Sequence, residues 1–144
     1  MGSGIEAESI LIHFPNGIYG FENIKDFILL QEDEKKVIWS LQAAETAYPS
    51  LIVLDPFLIL PNYRPALTEE QNKFFGNPKP DDLCYLAVAV IRKNLEDSAV
   101  NLKSPIVIHV KSRLGMQIIL EDSNYPVQYR PFRKQMSRGR GACL

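Results

Sequence analysis

The sequence is poor in side chains that hold metals or form disulfides. It has two cysteines, Cys84 and Cys143, and two histidines, His13 and His109. None of them lies at the spacing of a zinc site, and two lone thiols do not make the disulfide framework of a small secreted protein. We therefore predict a protein that binds neither a metal nor a cofactor.

Long hydrophobic runs are also missing. The longest apolar stretch, residues 48–63, is interrupted by Asp55, Pro56 and Pro61, so it is not typical of a membrane helix. The first nine residues have neither the basic region nor the apolar core of a secretion signal. These absences predict a cytoplasmic protein without membrane segments.

No catalytic pattern is recognisable, because no serine or cysteine is placed beside a histidine in a nucleophile motif. The stretch HFPNGIYGFE comes closest to a ligand loop, through Gly17 and Gly20. A phosphate loop needs a following helix and a cation, whereas Glu22 would repel phosphate. We predict a tight corner with glycines at positive φ, whose rings Tyr19 and Phe21 either form a contact surface or pack over a barrel end. An enzyme is not predicted.

The net charge of −1 hides an uneven distribution. Five basic residues and no acidic one lie from Arg130 onward, which leaves 11 basic against 17 acidic residues in 1–129, a net charge of −6. An acidic body disfavours a phosphate backbone and suits a basic protein partner. The chain from residue 131 is basic and low in complexity, and we predict that it is a disordered tail.

Strand signals dominate the body. Short β-branched or aromatic runs bounded by Pro, Gly, Asn or Asp occur at 9–14, 36–42, 50–55, 82–92, 105–113 and 116–122. The last two runs predict a hairpin with Gly115 in its turn, and the run 82–92 is apolar on both faces, as in a central strand. Short helices are predicted at 22–28 and 67–75, the second with Thr68 as N-cap and Gln71 in a capping box. The predicted fold is mainly β: a small antiparallel β-barrel or sandwich with one or two short peripheral helices.

Several short motifs, in order and spacing, resemble the flagellar assembly factor FliW family over roughly residues 8 to 130. They are FPNGIYGFE, Leu41-Gln42, Asp55-Pro56 with Tyr63, Asn101-Leu102-x-x-Pro105-Ile106-Val107-Ile108, Gly115-x-Gln117-x-x-Leu120, and Tyr125. The resemblance implies a non-enzymatic β-barrel domain at 5–130, followed by the tail at 131–144.

The resemblance also implies two cytoplasmic protein partners. One is flagellin, and the other is CsrA, an RNA-binding regulator that represses flagellin translation. Flagellin that accumulates would occupy the protein and leave CsrA free to repress, whereas flagellin export would free the protein to sequester CsrA. We expect a monomer or weak oligomer, with partner-binding residues at Tyr19, Phe21, Glu22, Gln42, Asp55, Pro56, Phe57, Asn101 and Gln117.

The alternative hypothesis is that the protein is a small β-barrel that binds nucleic acid directly through the basic RG tail. The acidic body argues against it, and so does the lack of a strand that combines exposed aromatic residues with Lys or Arg. No direct nucleic-acid partner is therefore expected.

Overall fold

The structure, a computed structural model, describes residues 9–133. It is mainly β, as predicted. The strands are β1 Ser9–His13, β2 Asp26–Gln31, β3 Ile38–Ala43, β4 Ser50–Leu54, β5 Leu83–Val90, β6 Ala99–Val100, β7 Ile106–His109 and β8 Leu114–Gln117. The helices are α1 Pro56–Ile59 and α2 Glu69–Phe74, and single 3-10 turns occur at Pro80–Asp82 and Leu95–Asp97. Within the described residues, no helix has the length and apolar character needed to cross a membrane. The predicted tail lies almost wholly outside them.

Seven strands close into a barrel, in the order β1-β2-β3-β4-β5-β7-β8. Neighbours are antiparallel except β8 and β1, which meet in parallel at one residue pair, His13 with Leu114. The sequence left a barrel and a sandwich open. The pairing of β4 with β5 closes the sheet and makes it a barrel. Strand β6, which was not predicted, lies outside the ring on the edge of β5.

The helix predicted at 22–28 is wrong, because this stretch leads into strand β2. Phe27 and Leu29 are buried in the barrel core, while Ile28 and Leu30 are less buried. All four residues are apolar, so the sequence shows no alternation of polar and apolar residues that would indicate a strand. Pairing with β1 and β3 on either side decides for a strand, since tertiary context overrides local propensity.

The predicted hairpin is present as β7 and β8, but Gly115 is not in its turn. It lies within β8 opposite Ile108, and the turn places Arg113 at φ +60° instead. A Cβ on Gly115 would lie 2.5 Å from Cε2 of Phe14 and 3.0 Å from Cγ2 of Ile12. Glycine is required here by close packing and not by the turn.

Strand β5 is buried on both faces, as predicted. Its Leu86 joins the core inside the barrel, together with Phe14 and Phe27. Its Ala87 joins a second core outside the barrel, with residues of the helical connection 55–75 and of the chain after β6 and β8. The connection that contains both helices thus covers the outer face of the barrel at β5. The predicted contact residues lie mainly at the two ends of the barrel.

A hydrogen bond to the side chain of the N-cap residue defines where each helix begins. Thr68 Oγ1 accepts the N–H of Gln71 (3.1 Å), and Gln71 Oε1 accepts the N–H of Thr68 (2.9 Å), which confirms the predicted capping box. The one-turn helix α1 was not predicted. It begins after Asp55, whose carboxylate accepts the N–H of Phe57.

Candidate partner-binding surfaces at the two ends of the barrel

The stretch FPNGIYGFE folds as a tight corner at one end of the barrel, as predicted. Gly17 and Gly20 adopt φ of +70° and +92°. The N–H of Gly17 donates to Phe14 O (2.9 Å), and the N–H of Phe21 donates to Ile18 O (2.7 Å). The next regular element is strand β2 and not a helix, so the corner lacks the geometry of a phosphate loop.

Exposed aromatic rings gather at this corner. Tyr19 is 53% exposed, and Tyr48, in the connection between β3 and β4, is 73% exposed. Phe21 is half-buried and meets Tyr48 edge to face, with 5.8 Å between ring centroids. We call these three rings the aromatic end. Sequence reasoning missed Tyr48, although an aromatic residue before Pro49 between two strands is a signal for an exposed loop position.

Asn101 and Gln117, predicted as contacts, support the aromatic end from beneath. The N–H of Tyr19 donates to Gln117 Oε1 (3.0 Å), and Gln117 Nε2 donates to Ser104 O (3.0 Å). Asn101 Oδ1 accepts the N–H of Ser104 (3.0 Å). Together with Tyr19 they line a cavity of about 280 Å³. The two amide side chains are therefore engaged within the fold, and Gln117 fixes the backbone of Tyr19.

Glu22 adds a negative charge beside these rings. It is exposed, and its Oε2 accepts the N–H of Gly20 (3.1 Å), while its own carbonyl accepts Lys25 Nζ (2.7 Å). The hydrogen bond from Gly20 lowers the pKa of the Glu22 carboxyl from its ordinary value. The aromatic end thus has a carboxylate at its border at neutral pH.

The predicted Asp55-Pro56-Phe57 corner lies at the opposite end of the barrel. Strand β4 begins next to Tyr48 at the aromatic end, crosses the barrel wall and ends at Leu54, directly before Asp55. Asp55 Oδ1 accepts the N–H of Phe57 (2.9 Å) and so caps helix α1. Phe57 is 38% exposed. Pro56 is fully buried, so in this structure it supports the corner and presents no contact surface. The predicted contacts are thus split between two separate surfaces.

A cavity of about 400 Å³ opens beside Phe57. Apolar side chains that point into the barrel form most of its wall: Ile10, Ile12, Leu29, Trp39, Leu86, Ile108 and Val110. We call this surface, with Phe57, the cavity end. A cavity of this size and character accepts apolar side chains of a partner.

Cys84 lines the same cavity as a free thiol. Burial, with a smaller contribution from Asp55, raises the pKa of the Cys84 thiol to about 11. Because the thiolate is the reactive form, we expect Cys84 to react with iodoacetamide at pH 8 far more slowly than a free cysteine does. Mass spectrometry of a Cys143→Ser variant measures this, with the urea-unfolded protein as the fast control. Equal rates in the two states would contradict it.

The remaining predicted contact, Gln42, and the two histidines pair or bond within the fold. Gln42 lies near the end of β3, opposite Ile28 on β2 and opposite Ser50 at the start of β4, on the side of the barrel that carries Tyr48. His13 Nδ1 and Asp26 Oδ1 lie 2.8 Å apart, and His109 Nδ1 accepts the N–H of Ser112 (3.2 Å). Over residues 9–133, no three His, Cys, Asp or Glu side chains are placed to hold a metal ion.

Comparisons with known proteins identify one family. The family model described as FliW protein matches residues 3–131. The chain is 34% identical to a flagellar assembly factor FliW of Clostridioides difficile over 132 residues, covering 92% of this chain and 98% of that protein. It is also 34% identical to one of Caldicellulosiruptor saccharolyticus over 123 residues, covering 85% and 80%. A crystal structure of the flagellar assembly factor FliW superimposes with a TM-score of 0.77 at 30% identity, covering 85% of both chains.

Proposed function

Because the chain belongs to the FliW family of flagellar assembly factors, we propose that it binds flagellin and CsrA in the cytoplasm without catalysing a reaction. Flagellin that accumulates occupies the protein and leaves CsrA free to repress flagellin translation. When flagellin is exported, the protein sequesters CsrA and repression is relieved. Flagellar assembly is thereby coupled to flagellin synthesis by partner switching.

The observation that carries this proposal is the presence of two exposed apolar surfaces on a closed barrel. Large apolar side chains that remain exposed close together on a folded domain mark contact surfaces. Exposed aromatic rings on a rigid backbone lose little entropy on binding, which suits a protein contact. The rings of Tyr19, Tyr48 and Phe57 are exposed, and the backbone N–H groups of Tyr19 and Phe57 are hydrogen-bonded to side chains of the fold.

The aromatic end is tested by Tyr19→Ala, with Phe21→Ala beside it. Tyr19 projects into solvent from a corner held by backbone bonds, so we expect its loss to weaken binding to flagellin or CsrA by about tenfold or more. The unfolding midpoint should stay unchanged. Isothermal titration with each purified partner and thermal unfolding measure the two effects. A stability loss without a binding loss would assign the ring to packing only.

Charge supports CsrA as the second partner. An RNA-binding protein presents basic surface, whereas residues 1–129 carry a net charge of −6. We expect association that weakens as salt rises, because exposed charges are screened over about 8–10 Å at physiological ionic strength. We also expect RNA to leave CsrA when this protein is added, since a docked acidic body repels RNA. A titration of a CsrA–RNA complex at two salt concentrations measures both effects.

The variants for this titration are chosen among acidic residues whose carboxylates are exposed and make no hydrogen bond that the fold needs. Acidic stretches occur at 32–34, 69–70 and 81–82, but Asp33 and Asp82 accept backbone N–H groups and must be kept. Charge reversal is therefore made at Glu34, Glu70 and Asp81, which are exposed. The matched control is Lys35→Glu, which adds negative charge beside Glu34 and should strengthen binding. Salt-independent affinity, or RNA binding that persists at saturating protein, would refute the proposal for CsrA.

A further inference from the structure

Within residues 9–133, strand β1 is paired over its whole length on one side only. All five of its residues pair with β2, from Ser9 with Leu30 to His13 with Asp26. On the other side, among these described residues, only His13 pairs, with Leu114 at the start of β8. The first four residues of β1 therefore extend beyond the tip of the β7–β8 hairpin and leave a gap in the barrel wall.

The backbone of β1 presents hydrogen-bonding groups toward this gap. In an antiparallel pair, successive residues point their N–H and C=O groups alternately toward and away from the partner strand. The N–H of Phe14 donates to Lys25 O on the β2 side (2.7 Å), and that of His13 donates to Arg113 O on the other side (2.9 Å). By this alternation, Leu11 points its N–H and C=O into the gap. Leu11 is 51% exposed, and no described residue bonds its backbone there.

The chain on the far side of the gap is turned away from β1. The N–H of Val110 donates to Asp82 O (3.0 Å), and the N–H of Arg113 donates to His109 O (2.8 Å), so the hairpin tip closes on itself and on the chain before β5. The apolar cavity of about 400 Å³ lies directly beneath, lined by Ile10 and Ile12 on one side and by Ile108 and Val110 on the other.

We propose that this gap is a strand-addition site, in which an extended segment of a partner pairs with β1 at Leu11 and inserts an apolar side chain into the cavity. An unpaired strand edge is matched by another extended backbone, and the alternation of side chains then gives one residue to the cavity and the next to solvent. A folded helix offers no free backbone groups in this arrangement, because its N–H and C=O groups bond to one another.

The charges at the rim of the gap indicate which of the two proposed partners binds there. The hairpin tip carries Lys111 and Arg113, both exposed, and neither forms an ion pair within residues 9–133. Two cations at the rim disfavour a basic partner, so the site does not suit the RNA-binding surface of CsrA. The inference rests on the proposed function in one respect, that flagellin is the other partner. It places an extended apolar segment of flagellin on β1, at the cavity end.

The test is binding of purified monomeric flagellin to full-length variants. Leu11→Pro removes the N–H that faces the gap and leaves the bonds to β2, because proline is tolerated on a strand edge. Leu11→Ala is the matched control, since it keeps the N–H. We expect Leu11→Pro to weaken flagellin binding by about tenfold or more, the effect of one hydrogen bond left unmade, and Leu11→Ala to change it little. Cys84→Phe, which fills the cavity, should also weaken binding, with Cys84→Ala as its control.

Hydrogen exchange on the wild-type protein supplies a readout that needs no variant. We expect the Leu11 amide to exchange more slowly when flagellin is bound and to be unaffected by CsrA. Flagellin that binds all variants equally, or leaves the Leu11 amide unprotected, would overturn strand addition and leave the proposed function standing. No binding of flagellin to the wild-type protein would overturn both. A wild-type dimer that Leu11→Pro converts to a monomer would show that a second copy, and not flagellin, occupies the edge.

Discussion

Replacing Phe14 with alanine should lower the free energy of unfolding by about 3–5 kcal/mol, the usual cost of removing a fully buried phenyl ring. Phe14 has no exposed surface and meets Phe27 edge to face at 5.5 Å. Its ring also occupies the space left by the missing side chain of Gly115. Gly115 therefore has no side chain that could move into the cavity, which favours the upper part of this range.

Urea unfolding followed by circular dichroism measures the change, provided that the slope of the transition is unchanged. Tyr19→Ala is the matched control, because it removes an aromatic residue five positions away that is exposed, and surface substitutions usually change stability by about 0.5 kcal/mol or less. Similar losses for both variants would mean that Tyr19 is a structural ring and would remove it from the partner surface.

Replacing Gly17 with alanine should also be strongly destabilising, by about 2–5 kcal/mol, since a left-handed conformation and a steric clash both contribute. Gly17 has φ of +70°, and an added Cβ would lie 2.5 Å from Glu22 Cα and 2.6 Å from Glu22 O. These are backbone atoms, so no side-chain rotation relieves the contact. The corner must open, and Tyr19 and Phe21 would move with it.

Gly20→Ala separates the two contributions. Gly20 also has positive φ, +92°, but an added Cβ would meet nothing within 4 Å. It should therefore lose only the backbone part, about 1–2 kcal/mol. Thermal unfolding of both variants, with flagellin and CsrA binding measured on the folded protein, gives the comparison. Equal losses of stability in the two variants would show that the steric clash of residue 17 with the Glu22 backbone adds nothing to the cost of the left-handed conformation. Gly17→Ala at wild-type stability would contradict the close approach altogether.

Much of the fold could be predicted because local physics already specified it. The runs at 9–14, 36–42 and 50–55 form strands, since short runs of β-branched or aromatic residues between turn residues favour extended backbone. The capping box at Thr68 and the glycine corner also formed as predicted, since each depends on residues within four positions of one another. The motif order likewise identified the FliW family, and the family match confirms it.

The tertiary structure decided what depends on distant neighbours. Residues 27–30 of strand β2 are all apolar, so only the pairing of β2 with β1 and β3 shows which of them face the core. Gly115 is needed because the ring of Phe14, a hundred positions earlier, packs against it. The candidate contacts could be named from motifs, but not that Tyr19 and Asn101 lie at one end and Phe57 at the other. Nor could the free edge at Leu11 be foreseen. Whether a strand is covered depends on where another hairpin ends, and strand pairing between distant segments is set by closure of the whole barrel.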